Sequence, residues 1–237
     1  MHIRIGLEQD FEGKVIAWAL DYPGCFCYGE DEHEALLLFP RAFIAYQSWV
    51  NFKAGYSSWV KDITDFDVRL EESFQNFQVD EQYRRVEDGT YTVNAWFQND
   101  WRALTAEDVK QALLLLDWSR RDLLGVIAPL DATQREKKYP GERWNIEGIL
   151  KHIGGAEWWY LDSLDQAGIS REALPPDPIE RLTQVREHFK TVLPEWTGRE
   201  LVRGRNGELW SPRKVIRRAI WHEKDHIVHI YKLLAEE

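Results

Sequence analysis

His222 and His226 stand four residues apart in the run Trp221-His222-Glu223-Lys224-Asp225-His226. That spacing puts two imidazoles on one face of a helix. Placed at helical steps from Val215, they fall at about −20° and +20°. The rest of that face is apolar, made of Val215, Ala219, Ile230 and Leu233. Such a pair can hold one ion from a single helix, and a third ligand must then come from a neighbouring one. His152, at the edge of the apolar stripe of a helix that starts at Asn145, is the histidine placed to supply it. Three neutral imidazoles leave positions open on a divalent metal, and zinc and nickel both suit them. An open position lowers the pKa of a bound water or thiol and makes a nucleophile near neutral pH. A lone inward histidine is usually a hydrogen-bonded core residue. Three buried together are harder to explain that way, because each ring needs polar partners. His229, at about −40°, could replace one ligand. His2, His33 and His188 have no partners at matching spacing.

Arg120 also points inward. It falls at about 20° on its helical wheel, among Leu113, Leu116 and Ile127. A buried guanidinium is costly unless paired. Two roles stay open: an ion pair with Glu157 or Asp117, or a substrate-binding clamp facing the metal, since arginine matches carboxylates with two parallel hydrogen bonds. Glu157 belongs either to that substrate site or to the shell that orients a ligand histidine. Glu223, beside His222, is a candidate general base.

The elements that must position these residues change character near residue 104. Beyond it the pattern is helical. Thr105 with Asp108 forms a capping pair ahead of a stripe of Val109, Ala112, Leu113, Leu116, Leu123, Leu124 and Ile127. Asn145 opens a second helix, Asp177-Pro178 a third and Ser211-Pro212 a fourth. Four amphipathic helices of this length predict an all-α four-helix bundle over 104–237. Residues 1–75 read as an α+β layer. Two strands meet at Glu12-Gly13, a third strand spans Cys25 to Tyr28, and a helix capped by Asp31 carries Ala35, Leu38, Ala42, Ala45 and Trp49. A charged edge strand follows over 67–74. Residues 76–103 read as an ordered connector, with a strand expected within 89–97. The fold class expected for the whole chain is therefore α+β.

A net charge of −10 among 237 residues argues against a phosphate-backbone binder. Cys25 and Cys27 are too close for an unstrained disulfide and read as structural. No apolar run is long enough to span a bilayer, and Met1 to Asp10 has no signal core. The expectation is a cytoplasmic protein with no nucleic-acid or membrane partner. A homodimer is compatible with this reading. Twelve tryptophans point to large cores.

Two resemblances add to this reading. The run from Trp144 through His152 to Tyr160, with that from Trp210-Ser211-Pro212 to His226, resembles the second and fourth helices of the DinB-like superfamily. It covers about residues 104–237. The resemblance implies a metal-binding four-helix bundle whose triad is His152, His222 and His226. Related bundles include thiol S-transferases and maleylpyruvate isomerases. The implied function is a metal-dependent transferase or hydrolase on a small molecule. The run Ala19-Leu20-Asp21-Tyr22-Pro23-Gly24-Cys25 through Gly29-Glu30-Asp31 to Glu34-Ala35 resembles the HicB antitoxin family over residues 1–75. It implies a fold and a protein partner docked through the N-terminal domain. On that alternative the protein is a non-enzymatic binding module and its metal site is structural or vestigial.

Overall fold

The computed structural model describes residues 1–235. The chain divides into two compact units, Met1–Trp101 with Gly204–Leu209, and Arg102–Arg203 with residues 210 onward.

The first unit is α+β. Strands β1 (His2–Phe11), β2 (Lys14–Ala19) and β3 (Phe26–Gly29) precede helix α1 (Glu32–Ala54), and β4 (Asp67–Gln75) follows it. The sheet order is β3-β2-β1-β4, antiparallel except for β1 and β4, which run parallel. The first hairpin turns on Glu12 and Gly13, both at positive φ (52° and 78°), the geometry that a tight two-residue turn requires. Asp31 caps α1 by accepting from Glu34 N at 2.8 Å. The helix buries Ala35, Phe39, Phe43, Tyr46 and Val50. The expected stripe through Leu38, Ala42 and Ala45 is displaced, because the neighbouring stripe offers three aromatic rings and so removes more apolar area from water.

Residues 76–97 are tied to this sheet. They carry a three-stranded sheet of β5 (Phe77–Val79), β6 (Arg85–Val86) and β7 (Tyr91–Val93), in the order β6-β5-β7. The carboxylate of Glu8 is fully buried. It accepts from Trp18 Nε1 (3.0 Å), Asn76 Nδ2 (3.1 Å) and Ala95 N (3.0 Å). Three donors offset the cost of burying that charge and fasten both ends of the segment to β1.

The second unit holds helices α2 (Ala106–Ile127), α3 (Ala132–Glu136), α4 (Ile146–Asp162), α5 (Pro178–Val192) and, after strands β8 (Arg203–Arg205) and β9 (Glu208–Trp210), α6 (Pro212–Ala235). Helix α6 packs on α2 and α4, and α4 packs on α5. The expected starts are where the capping residues put them. Thr105 and Asp108 satisfy each other's backbone N–H. Asn145 accepts from Gly148 N, and Asp177 from Glu180 N with Pro178 in the first turn. The core joins Leu123 and Ile127 of α2, Ile149, Leu150 and Ile153 of α4, Leu182 of α5, and Ile230 and Leu233 of α6. No helix among the described residues is long and apolar enough to cross a membrane.

Candidate metal centre

His152 comes from α4, and His222 and His226 come from successive turns of α6. Nε2 of His222 lies 3.0 Å from Nε2 of His152 and 3.1 Å from Nε2 of His226. One ligand atom from each of the three falls within 4.8 Å of the others. Among the described residues this is the one group of three or more histidine, cysteine or carboxylate side chains arranged to hold a metal.

The chemistry of the donors tests whether they fit a cation. A ring nitrogen offers either one proton or one lone pair. Nε2 of His222 therefore cannot make a good hydrogen bond to both neighbours at once. A single cation accepts a lone pair from each ring. Metal–nitrogen bonds of roughly 2.0–2.1 Å set two ligand nitrogens about 3.0–3.4 Å apart, and the observed separations lie at the short end of that range. Nδ1 of His226 is buried with no hydrogen-bond partner among the described residues.

The surroundings keep the rings neutral, as ligands must be. Burial, then the nearby His226 and His152 and the charge of Arg218, push His222 well below the usual imidazole range. Burial, followed by His152 and His229, lowers His226 to about 3. Burial, with Arg143, lowers His152. The His152 ring stacks on Trp144 with centroids 4.4 Å apart and planes 24° from parallel. His229 turns elsewhere: its Nε2 lies 3.1 Å from a carboxylate oxygen of Glu142.

The second unit also holds a ring of four buried charges. Arg120 of α2 donates from Nε to Glu223 of α6 (2.5 Å) and from Nη2 to Glu157 of α4 (2.8 Å). Arg186 of α5 donates to Glu157 (2.6 and 2.9 Å) and to Glu223 (3.1 Å). Arg120 also reaches the carbonyl of Leu182, Arg186 that of Leu116, and Ser119 donates to Glu223. The structure thus places Arg120 in an ion pair with Glu157. Asp117 faces Arg121 and Lys190 instead. Glu223 is fully buried with both oxygens accepting hydrogen bonds, so it is not placed to take a proton from a substrate. Sequence reasoning missed Arg186. Its signal was there: it lies between Val185 and Phe189 on the buried stripe of α5, as Arg120 lies on that of α2.

The triad borders an open cavity of about 730 Å³ lined by His152 and His222. Cys27 is not a member of this cluster. Its thiol donates to the carbonyl of Ala35, and burial pushes its pKa up to about 12.

The family model described as the DinB superfamily matches residues 115–230. The chain carries a DinB-like domain. The match spans the three histidines and all four members of the charge ring. No curated protein and no solved structure matches the chain.

Proposed function

We propose that the DinB-like domain is a four-helix bundle that binds one divalent metal, zinc or nickel, on His152, His222 and His226. On this reading it is a metal-dependent enzyme for a small molecule, either a transferase of the thiol S-transferase type or a hydrolase. The observation that carries the reading is the convergence of three imidazole Nε2 atoms, two of them on rings that line an open cavity. A bound ion would supply an open coordination position at which a water or thiol loses its proton near neutral pH. The protein's own part is to hold the rings. Stacking on Trp144 orients His152, burial keeps all three imidazoles unprotonated, and the charge ring fixes α4 against α6. The cavity admits the substrate to His152 and His222. Elemental analysis of protein purified without chelator is expected to find one divalent ion per chain. Stoichiometry that is unchanged in the His222→Ala, His226→Ala double variant would sink the assignment. A screen of thiols against electrophiles, with the metal-stripped protein as control, tests the reaction class.

A second reading has one observation in its favour. Leu37, Ile44 and Phe52 of α1 are 70%, 54% and 83% exposed, and large apolar side chains in such numbers suit a surface that binds protein. On that reading the N-terminal unit is a HicB-like partner-binding module. A catalytically silent, metal-loaded protein that is monomeric alone and associates with a partner through α1 would favour it.

A further inference from the structure

The cavity beside His152 and His222 reverses the charge of the protein around it. The chain carries a net charge of −10, yet no aspartate or glutamate lines this cavity, whereas Lys151, Arg171 and Arg181 do. None of these three cations forms a salt bridge among the described residues. The cavity is also lined by the aromatic rings of Trp144, Trp159 and Tyr160.

Arg181 is seated by design of the backbone. It comes from α5 and crosses α4 over Gly154 and Gly155. A Cβ on Gly154 would stand 2.9 Å from Arg181 Cγ, and one on Gly155 would stand 3.9 Å from Nη1. Glycine inside a helix costs about 1 kcal/mol relative to alanine, so two in succession call for a reason. Here they cut a notch through which the arginine stem passes towards the turn that carries His152. Arg181 Nε donates to the carbonyl of Pro175 (2.8 Å) and Nη1 lies 3.5 Å from that of Lys151. Nη2 has no partner among the described residues.

We infer that this cavity binds a small organic acid, its carboxylate held by Arg181 with Arg171 at the rim and its apolar part against the tryptophan rings, next to the histidine triad. The inference rests on reading the cavity as the substrate site. It concerns the ligand's charge, not the metal. Its volume lies within the range of small-molecule pockets, about 300–1,000 Å³. Arginine suits the role because its planar fork matches a carboxylate and never loses its charge.

The test uses full-length protein as purified and two probes of equal shape, 3-phenylpropionate and its neutral amide, titrated by calorimetry. The acid is expected to bind about tenfold more tightly than the amide, the contribution of one charge-assisted hydrogen bond. Arg181→Met and Arg171→Gln are expected to shrink that gap to roughly threefold or less, leaving amide affinity and metal content unchanged. Arg181→Lys is expected to keep part of the gap. If Arg181→Met folds poorly, the exposed Arg171→Gln decides. Equal binding of acid and amide overturns the proposal. So does a gap that survives both substitutions, including one that vanishes only when the metal is stripped, since the carboxylate would then sit on the ion. A metal-free protein that keeps an Arg181-dependent preference sinks the metal assignment and leaves this inference standing. A metal-loaded protein indifferent to charge does the reverse.

Discussion

Arg120 and Arg186 bind the same two carboxylates. Each bridges Glu157 and Glu223, so the two acids are held in place without touching a residue of like charge unscreened. Because all four side chains are buried, removing one charge leaves a net charge behind. Arg120→Met is expected to destabilise the DinB-like domain by about 3–5 kcal/mol. Adding Glu157→Gln restores balance, with Arg186 still paired to Glu223, and should recover part of the loss. Urea denaturation of the single and double variants measures it. A double variant less stable than Arg120→Met alone would show that charge balance is not what the ring provides.

Metal retention should extend to acid pH. Protons compete with the metal for each imidazole, and burial lowers all three pKa values below the ordinary 6.5. The folded site therefore takes up protons only at lower pH, and release of bound zinc on acidification should have its midpoint below 6.5. A colorimetric zinc indicator follows the release. A midpoint at or above the ordinary imidazole value would mean that ligands other than these buried rings hold the ion.

Asp108 couples the cap of α2 to Arg213 of α6, its Oδ2 accepting from Arg213 Nη2 at 2.6 Å and from Thr105 N at 2.8 Å. Burial raises its pKa, but hydrogen bonds from Arg213 and Thr105 outweigh that and hold it below 3.8. A depressed carboxylate pKa contributes stability above the unfolded value, and the contribution is lost as pH falls through the folded value. Asp108→Ala should cost about 1–2 kcal/mol at neutral pH. The cost should shrink below about pH 4, where the unfolded carboxylate also binds a proton. Thermal melts at pH 7 and pH 3 check both halves.

Gly29 ends β3 where the chain turns into α1. A Cβ there would lie 2.3 Å from the backbone nitrogen of Ala35, and backbone in a helix cannot give way as a side chain can. Gly29→Ala should destabilise the first unit by about 1–3 kcal/mol or more. Near-normal stability of this variant would show that the turn has room to shift.

Much of this was legible in the residues. Capping side chains named five helix starts, and the spacing of His222 and His226 placed them on one face, because both signals are local and geometric. The third histidine of the cluster, His152, was reachable only by elimination among helices. Arg120 was seen to point inward, but its second carboxylate, Glu223, was not, since the wheel of one helix says nothing of what another brings to meet it. Residues 76–103 read as an ordered connector, but the attachment of residues 76–97 to β1 was invisible, because the buried Glu8 that fastens them lies 68 residues before Asn76. On α1 the small residues suggested one buried stripe while the aromatic rings took another, an outcome set by area removed from water rather than by periodicity.

Around the buried ring the signs alternate, and each member comes from a different helix of the four. Exchanging two neighbouring helices would set guanidinium beside guanidinium. Sliding one helix by a turn would withdraw its charge and leave its two neighbours to share a single partner. Misassembled arrangements of the same helices are thus penalised by repulsion as well as by lost contacts, and the alternation acts as a parity check on the order in which α2, α4, α5 and α6 come together.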